Sequence, residues 1–236
     1  MEKGKLIYSG RWSLGYVSDG IFIKELVYYD PNSVKREMEA SNAAFGSGIP
    51  TPKCFRYFDD GIHIQMHFQY VDMTPFEIGG SDEDLNRVLD IVQRLQYVKW
   101  KQNDEYWTKS LIPDFSDALS YIGFEREHIM AFVSQLKPTI FIHGDMSCQN
   151  IGRSKEGVCI YDFQHGCLGP KNWDLCHLAG TLRPFLSESW DLSDAELQTS
   201  FCIAAIKLGR AIRKNASDID EKKSIYNEWK KRICAI

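Results

Sequence analysis

The chain has 236 residues, 44% hydrophobic and 13% aromatic, which excludes disordered and fibrous classes and suffices for one large domain or two lobes. The formal net charge is −4 and no basic run forms a nucleic-acid footprint, so no nucleic-acid partner is expected. Seven cysteines, an odd number without a CxxC pair, read as reduced, mostly buried thiols of a cytoplasmic protein; no stretch is apolar enough for a signal peptide or a membrane span.

Residues 5–28 predict three short strands, with Asp19-Gly20 as a hairpin turn between the second and third. Alternation in the third strand places Phe22, Lys24 and Leu26 on one face, so a lysine sits among apolar neighbours, where it needs a partner. Asp30-Pro31-Asn32-Ser33 starts a helix that runs to about Phe45 and carries Glu37 and Glu39. Residues 55–58 and 62–71 predict a hairpin around Asp59-Asp60-Gly61, with Ile62, Ile64, Met66 and Phe68 on one face. Composition changes at Asp72-Met73-Thr74-Pro75, and the pattern becomes helical. The expected division is therefore a small antiparallel β lobe over 1–71 and a helical lobe over 72–236. Ser81 caps one helix, a second segment spans about 115–136 with a break near Gly123, and others cover 173–182, 194–214 and 218–232.

Between the helical segments lies the densest stretch, Phe141 to Asp174. It holds His143-Gly144-Asp145, then Asn150, then Asp162-Phe163 at the end of the apolar run Val158 to Tyr161. A loop carboxylate within reach of an alcohol can orient the hydroxyl and accept its proton, which suits Asp145. Asn150 and Asp162 are oxygen ligands of the kind magnesium accepts while phosphates and water complete its shell. Lys24, held by a helix glutamate, supplies the phosphate-binding cation of a kinase; Glu37 is the candidate partner and Glu39 its rival.

In this order, His143-Gly144-Asp145-x4-Asn150, Ile160-Tyr161-Asp162-Phe163 and Gly169-Pro170-x3-Asp174-Leu175 resemble the aminoglycoside phosphotransferase/choline kinase superfamily. The resemblance implies an α+β, two-lobed, protein-kinase-like fold whose first lobe binds nucleotide and whose second carries the catalytic loop. It implies ATP, or GTP in some relatives, and Mg2+ as cofactors, with a small-molecule hydroxyl as acceptor. It assigns Asp145 as the base, Asn150 and Asp162 as magnesium ligands, Lys24 to the nucleotide phosphates with Glu37 behind it, and the backbone near Gln69 and Val71 to the nucleotide base. His143 and Asp174 are expected to support the catalytic loop.

Two departures bear on function. Ser9-Gly10-Arg11-Trp12-Ser13-Leu14-Gly15 is not GxGxxG, so the phosphate-covering loop is short and poor in glycine. The chain is also shorter than most relatives, which leaves the acceptor unnamed. Residues 73–136 hold eleven Asp/Glu against six Lys/Arg, a balance that would suit a cationic acceptor of aminoglycoside, choline or sugar type. Trp100, Tyr106, Trp107, Trp173 and Trp190 are candidates either for stacking on it or for core. The rival function from another class is a catalytically weak or inactive kinase fold that binds nucleotide as a regulatory module. His143, Cys148, His165, Cys167, Cys176 and His177 fit no common zinc spacing, and His143, Cys148, Cys176 and His177 read as loop support and packing.

Overall fold

The computed structural model describes residues 4–9, 13–28, 30–76, 81–123 and 125–234. Gly10, Arg11 and Trp12, the centre of the expected phosphate-covering loop, lie outside them. The chain packs as two compact units, one of Met1–Lys99 with Cys148–Gly166 and one of Trp100–Ser147 with Cys167–Ile236.

The first unit is built on a five-stranded antiparallel sheet of β1 (Lys5–Ser9), β2 (Ser13–Ser18), β3 (Ile21–Leu26), β4 (Cys54–Asp59) and β5 (Ile64–Gln69), in the order β1-β2-β3-β5-β4. Asp19 and Gly20 both take positive φ, 50° and 74°, which is the geometry a tight two-residue hairpin needs between β2 and β3. Helix α1 (Pro31–Gly46) starts where the Asp30 carboxylate accepts the Ser33 N–H at 3.1 Å, with Pro31 in the first turn. Its buried stripe is Val34, Glu37, Ala40, Ser41 and Ala44. The unit's core joins Val34 to Leu26, Cys54, Ile64, Met66 and Phe68. Ile62 does not join that face and is 73% exposed. Asp59 and Asp60 accept the N–H groups of Gly61, Ile62 and His63, so the loop extends through His63 and β5 starts at Ile64.

The five-stranded sheet ends just before the composition change at residue 72, but the unit continues past it. It includes α2 (Asp82–Leu95), capped by Ser81, and a small sheet in which β6 (Thr74–Pro75) pairs with β8 (Ile151–Ser154), and β8 with β9 (Gly157–Ile160).

The second unit is helical apart from a two-stranded sheet of β7 (Ile140–Ile142) and β10 (Cys167–Gly169). Its helices are α3 (Ile112–Leu119), α4 (Arg126–Val133), α5 (Trp173–Gly180), α6 (Asp194–Arg213) and α7 (Ile219–Ile233). The expected break near Gly123 lies between α3 and α4, where Gly123 has φ 84°. Helix α6 is not striped on one side only: residues from Leu197 to Ala211 are buried almost all round. Trp107 and Trp173, each 1% exposed, sit in the core with Phe115, so these two candidates for ligand stacking are packing residues. Among the described residues no helix is long and apolar enough to cross a membrane.

Close approach of α6 to α3 depends on Gly209, where an added Cβ would stand 2.1 Å from the Ala118 carbonyl oxygen. Backbone cannot yield as a flexible side chain does, so Gly209→Ala should destabilise by about 1–3 kcal/mol. Gly46→Ala is the control, because nothing lies within 4 Å of its added Cβ. Thermal unfolding of both variants checks this: the expected result is a loss of several degrees for Gly209→Ala and little change for Gly46→Ala.

Candidate active site

In the first unit, Lys24 on β3 is buried between two carboxylates. Its Nζ lies 2.8 Å and 2.9 Å from the two oxygens of Glu37 on α1, and 2.8 Å from Oδ1 of Asp162. Glu37 is 3% exposed, and it rather than Glu39 receives the lysine. Burial opposes the charge on Lys24, but the carboxylates of Asp162 and Glu37 override it and hold the amine well above its usual range. Burial, reinforced by Asp162, pushes Glu37 up against the pull of Lys24. One ammonium thus serves two carboxylates. An ammonium placed there is held ready for anionic ligands, and a carboxylate that now faces it can turn to a cation when phosphates take its place.

The spacing of Asn150 and Asp162 has a simple origin. They flank the β8–β9 hairpin, whose register pairs Ile151 with Ile160 and Ser154 with Gly157. The Tyr161 N–H donates to the Asn150 carbonyl at 3.0 Å, and the Tyr161 hydroxyl donates to the Gln149 carbonyl at 2.7 Å. The eleven intervening residues are therefore a hairpin that returns the chain to Asn150 just before Asp162. Asp162 adopts a left-handed conformation with φ 68° and ψ 59°, which costs a non-glycine residue on the order of 1–3 kcal/mol and is characteristic of functional sites. Both residues offer oxygen, the donor magnesium prefers, and that ion needs only one or two protein ligands when phosphates are present. At the far end of β5, the Gln69 N–H donates to the Lys53 carbonyl at 2.8 Å and the Tyr70 N–H to the Gly20 carbonyl at 3.0 Å.

In the second unit, Asp145 follows β7 on a loop that turns at Gly144, φ 82°. Asp174, in the first turn of α5 and 3% exposed, accepts the His143 N–H at 2.7 Å and the Gly144 N–H at 3.0 Å. Burial pushes the Asp174 carboxyl up, and those backbone donors pull against it. The fully buried His143 ring accepts the Asp145 N–H at Nδ1, 3.3 Å, so its proton belongs on Nε2. The loop that carries Asp145 is thus held by the Asp174 carboxylate and the His143 ring.

Two partners of Asp145 have no counterpart in that motif. Lys207 on α6 places its Nζ 2.5 Å from Oδ1. His177 on α5 places Nε2 3.3 Å from the same oxygen while Nδ1 lies 2.6 Å from the Met146 carbonyl. A carbonyl can only accept, so Nδ1 carries the proton of the neutral ring. Burial and then the charge of Lys207 lower the His177 pKa to about 4, with Asp145 opposing. The sequence signal for Lys207 was a single cation inside the apolar run Phe201 to Leu208. Cys176 is buried and its thiol pushed up to about 12, first by burial, which fits inert packing.

No family model and no curated protein matches the sequence. Among solved structures the chain is similar to a choline/ethanolamine kinase family protein from Mesorhizobium loti, at 15% identity and TM-score 0.67, over 99% of this chain and 86% of that one. It is similar to the amicoumacin kinase hAmiN in complex with AMP-PNP, Ca2+ and amicoumacin, at 12% identity and TM-score 0.70, over 98% and 88%. It is also similar to the aminoglycoside phosphotransferase APH(4)-Ia in a complex with ADP and hygromycin B, at 9% identity and TM-score 0.69, over 95% and 92%. The chain has the α+β fold of these small-molecule kinases.

His177 makes a pH prediction. Its folded pKa of about 4 lies below the ordinary 6.5, so the unfolded chain binds this proton first as pH falls. Stability is therefore lost between roughly pH 6.5 and 4, by on the order of 3 kcal/mol, and the loss levels off below. Denaturant unfolding across this range should show a shallower pH slope for His177→Gln than for the natural chain; equal slopes would mean the ring is protonated in the fold.

Proposed function

We propose that the protein is a small-molecule kinase that transfers the γ-phosphate of ATP, or of GTP, to a hydroxyl of a small acceptor. The observation that carries this reading is the buried Lys24 held by Glu37 and Asp162. It occurs on a fold shared with kinases captured with AMP-PNP and with ADP. Lys24 binds the nucleotide phosphates and Glu37 keeps it charged and aimed. Because the Gln69 N–H is committed to Lys53, the Gln69 carbonyl is its group for the nucleotide base, together with the Val71 backbone. Asn150 and Asp162 hold Mg2+, whose charge offsets that of the phosphates. Asp145 orients the acceptor hydroxyl. As the oxygen–phosphorus bond to the acceptor forms and the bond to the leaving nucleoside diphosphate breaks, Asp145 takes the hydroxyl proton.

The excess of acidic residues argues less for a cationic acceptor once their partners are named. In the unit that holds Asp145, Asp114 is bonded to Arg210 and Arg213, Asp117 to Arg213, Glu125 to Lys230 and Tyr226, and Asp104 to Trp100, Tyr106 and Leu168. The proposal is therefore a small hydroxyl-bearing acceptor, charged or neutral, with aminoglycosides, choline and sugars as the classes to test.

An ATP-depletion screen over aminoglycosides, choline, ethanolamine, sugars and nucleosides, with magnesium, should find at least one acceptor. No turnover with nucleotide binding intact is the result expected of a regulatory module instead. With an acceptor in hand, Asp145→Asn should cut turnover by about 10²–10⁴-fold with nucleotide affinity nearly unchanged. Asp162→Ala should remove the magnesium dependence of nucleotide binding, read by titration with and without the ion. Lys24→Ala and Glu37→Ala should both raise the nucleotide KM, and Glu39→Ala should not; the reverse pattern would break the assignment of the pair.

A further inference from the structure

Lys207 stands where a helix would be expected to carry an apolar residue. Its neighbours on α6 are Ile203, Ala204, Leu208 and Ala211, all under 10% exposed. The lysine side chain itself is 17% exposed and ends on Oδ1 of Asp145, whose side chain is 20% exposed. A buried lysine loses most of its hydration, and a buried ion pair adds little net stability compared with an apolar residue of the same shape. Burial, followed by the nearby charges of Arg210 and Lys222, pushes the Lys207 amine down, and Asp145 pulls it back. Its charge therefore leans on the carboxylate it touches. The contact is anchored on the long, largely buried helix α6, and it engages one oxygen of the residue proposed as base.

We propose that Lys207 is a positioning residue for Asp145, holding Oδ1 so that the carboxylate stays ionised and oriented toward the acceptor hydroxyl. This rests on the kinase reading for its catalytic consequence, and on geometry alone for its effect on Asp145. Among the other groups that act on Asp145 are His177, 3.3 Å away on α5, and through charge Asp174 on α5 and Lys214 just after α6. None of these replaces a cation in contact with Oδ1. An ammonium beside a carboxylate favours its charged form, so removing it makes protonation easier. The acid limb of the rate profile must then move to higher pH.

The test compares Lys207→Met, which keeps length without charge, with Lys207→Arg, which keeps charge. Nuclear magnetic resonance of carboxyl-labelled aspartate, with the Asp145 signal identified by its loss in Asp145→Asn, reads the titration directly. In Lys207→Met the signal should titrate about one pH unit or more above its position in the natural chain, and in Lys207→Arg close to it. With an acceptor, Lys207→Met should lower kcat about a hundredfold with its acid limb shifted upward and the nucleotide KM within about twofold. Lys207→Arg should keep the acid limb. If Asp145 titrates at the same pH with and without Lys207, the proposal is overturned whatever the assay shows. If the natural chain phosphorylates no acceptor while the signal still shifts, the kinase reading fails and the positioning contact stands. Should Lys207→Met not fold, Lys207→Gln carries the same comparison, since it also removes the charge.

Discussion

A lysine amine taken out of water must be matched by negative charge or lose its proton, and the first unit is arranged around that requirement at Lys24. The strand supplies the amine, α1 supplies Glu37, and the residue after the β8–β9 hairpin and Tyr161 supplies Asp162. Three separated segments are thereby brought to one point. The match is uneven, with two carboxylates for one ammonium: the carboxylates raise the lysine, while burial, reinforced by Asp162, raises the glutamate against the pull of Lys24. Such a cluster is poor as a stabilising device, since an apolar trio would pack as well without desolvating three charges. Under the proposed kinase reading, its value is as a set of charges that can exchange partners when phosphate and a divalent cation arrive together.

Much of this was readable in the residues because each feature has a local cause. Lys24 breaks the apolar face of β3, and Glu37 breaks the stripe that Val34, Ala40, Ser41 and Ala44 define on α1. A charge inside an apolar period marks a position that needs a distant partner, and the two breaks answer each other. The separation of Asn150 from Asp162 is the length of one short hairpin, and Asp174 caps the backbone of the loop that carries Asp145. Side-chain competition was less readable. Ile62 continues the alternation of β5 but is carried out of it by Asp59 and Asp60, whose oxygens claim the N–H groups around it.

The same rule explains what sequence reasoning missed. Lys207 also interrupts an apolar stretch, yet α6 is buried on more than one side, so no single stripe singles the lysine out. Only the tertiary fold identifies its partner, 62 residues earlier on a loop. His177 is similar: its Nδ1 proton is held by the Met146 carbonyl on the Asp145 loop and its Nε2 comes to lie near Asp145, neither of which sequence spacing announces. The two-stranded β7–β10 sheet escaped for a different reason. Strands of three residues carry too short an alternation to announce themselves, and they exist because the ends of the catalytic stretch must satisfy their backbone groups.

Acceptor choice follows from a further distinction between formal charge and available charge. Counted along the chain, residues 73–136 are acidic, and a cation would seem welcome. Counted in the fold, Asp114 and Asp117 are engaged by Arg210 and Arg213, and Asp145 by Lys207. A carboxylate already facing a guanidinium or an ammonium adds little long-range field, because the pair is nearly neutral beyond a few ångströms. If the protein is the kinase proposed, selection among alcohols must then rest on shape and hydrogen bonding around Asp145 rather than on bulk attraction. Under the proposed kinase reading, Lys207 bears on that selection: by offsetting the charge of Asp145 at close range, it would leave the carboxylate to act on a hydroxyl proton rather than to draw in a cation.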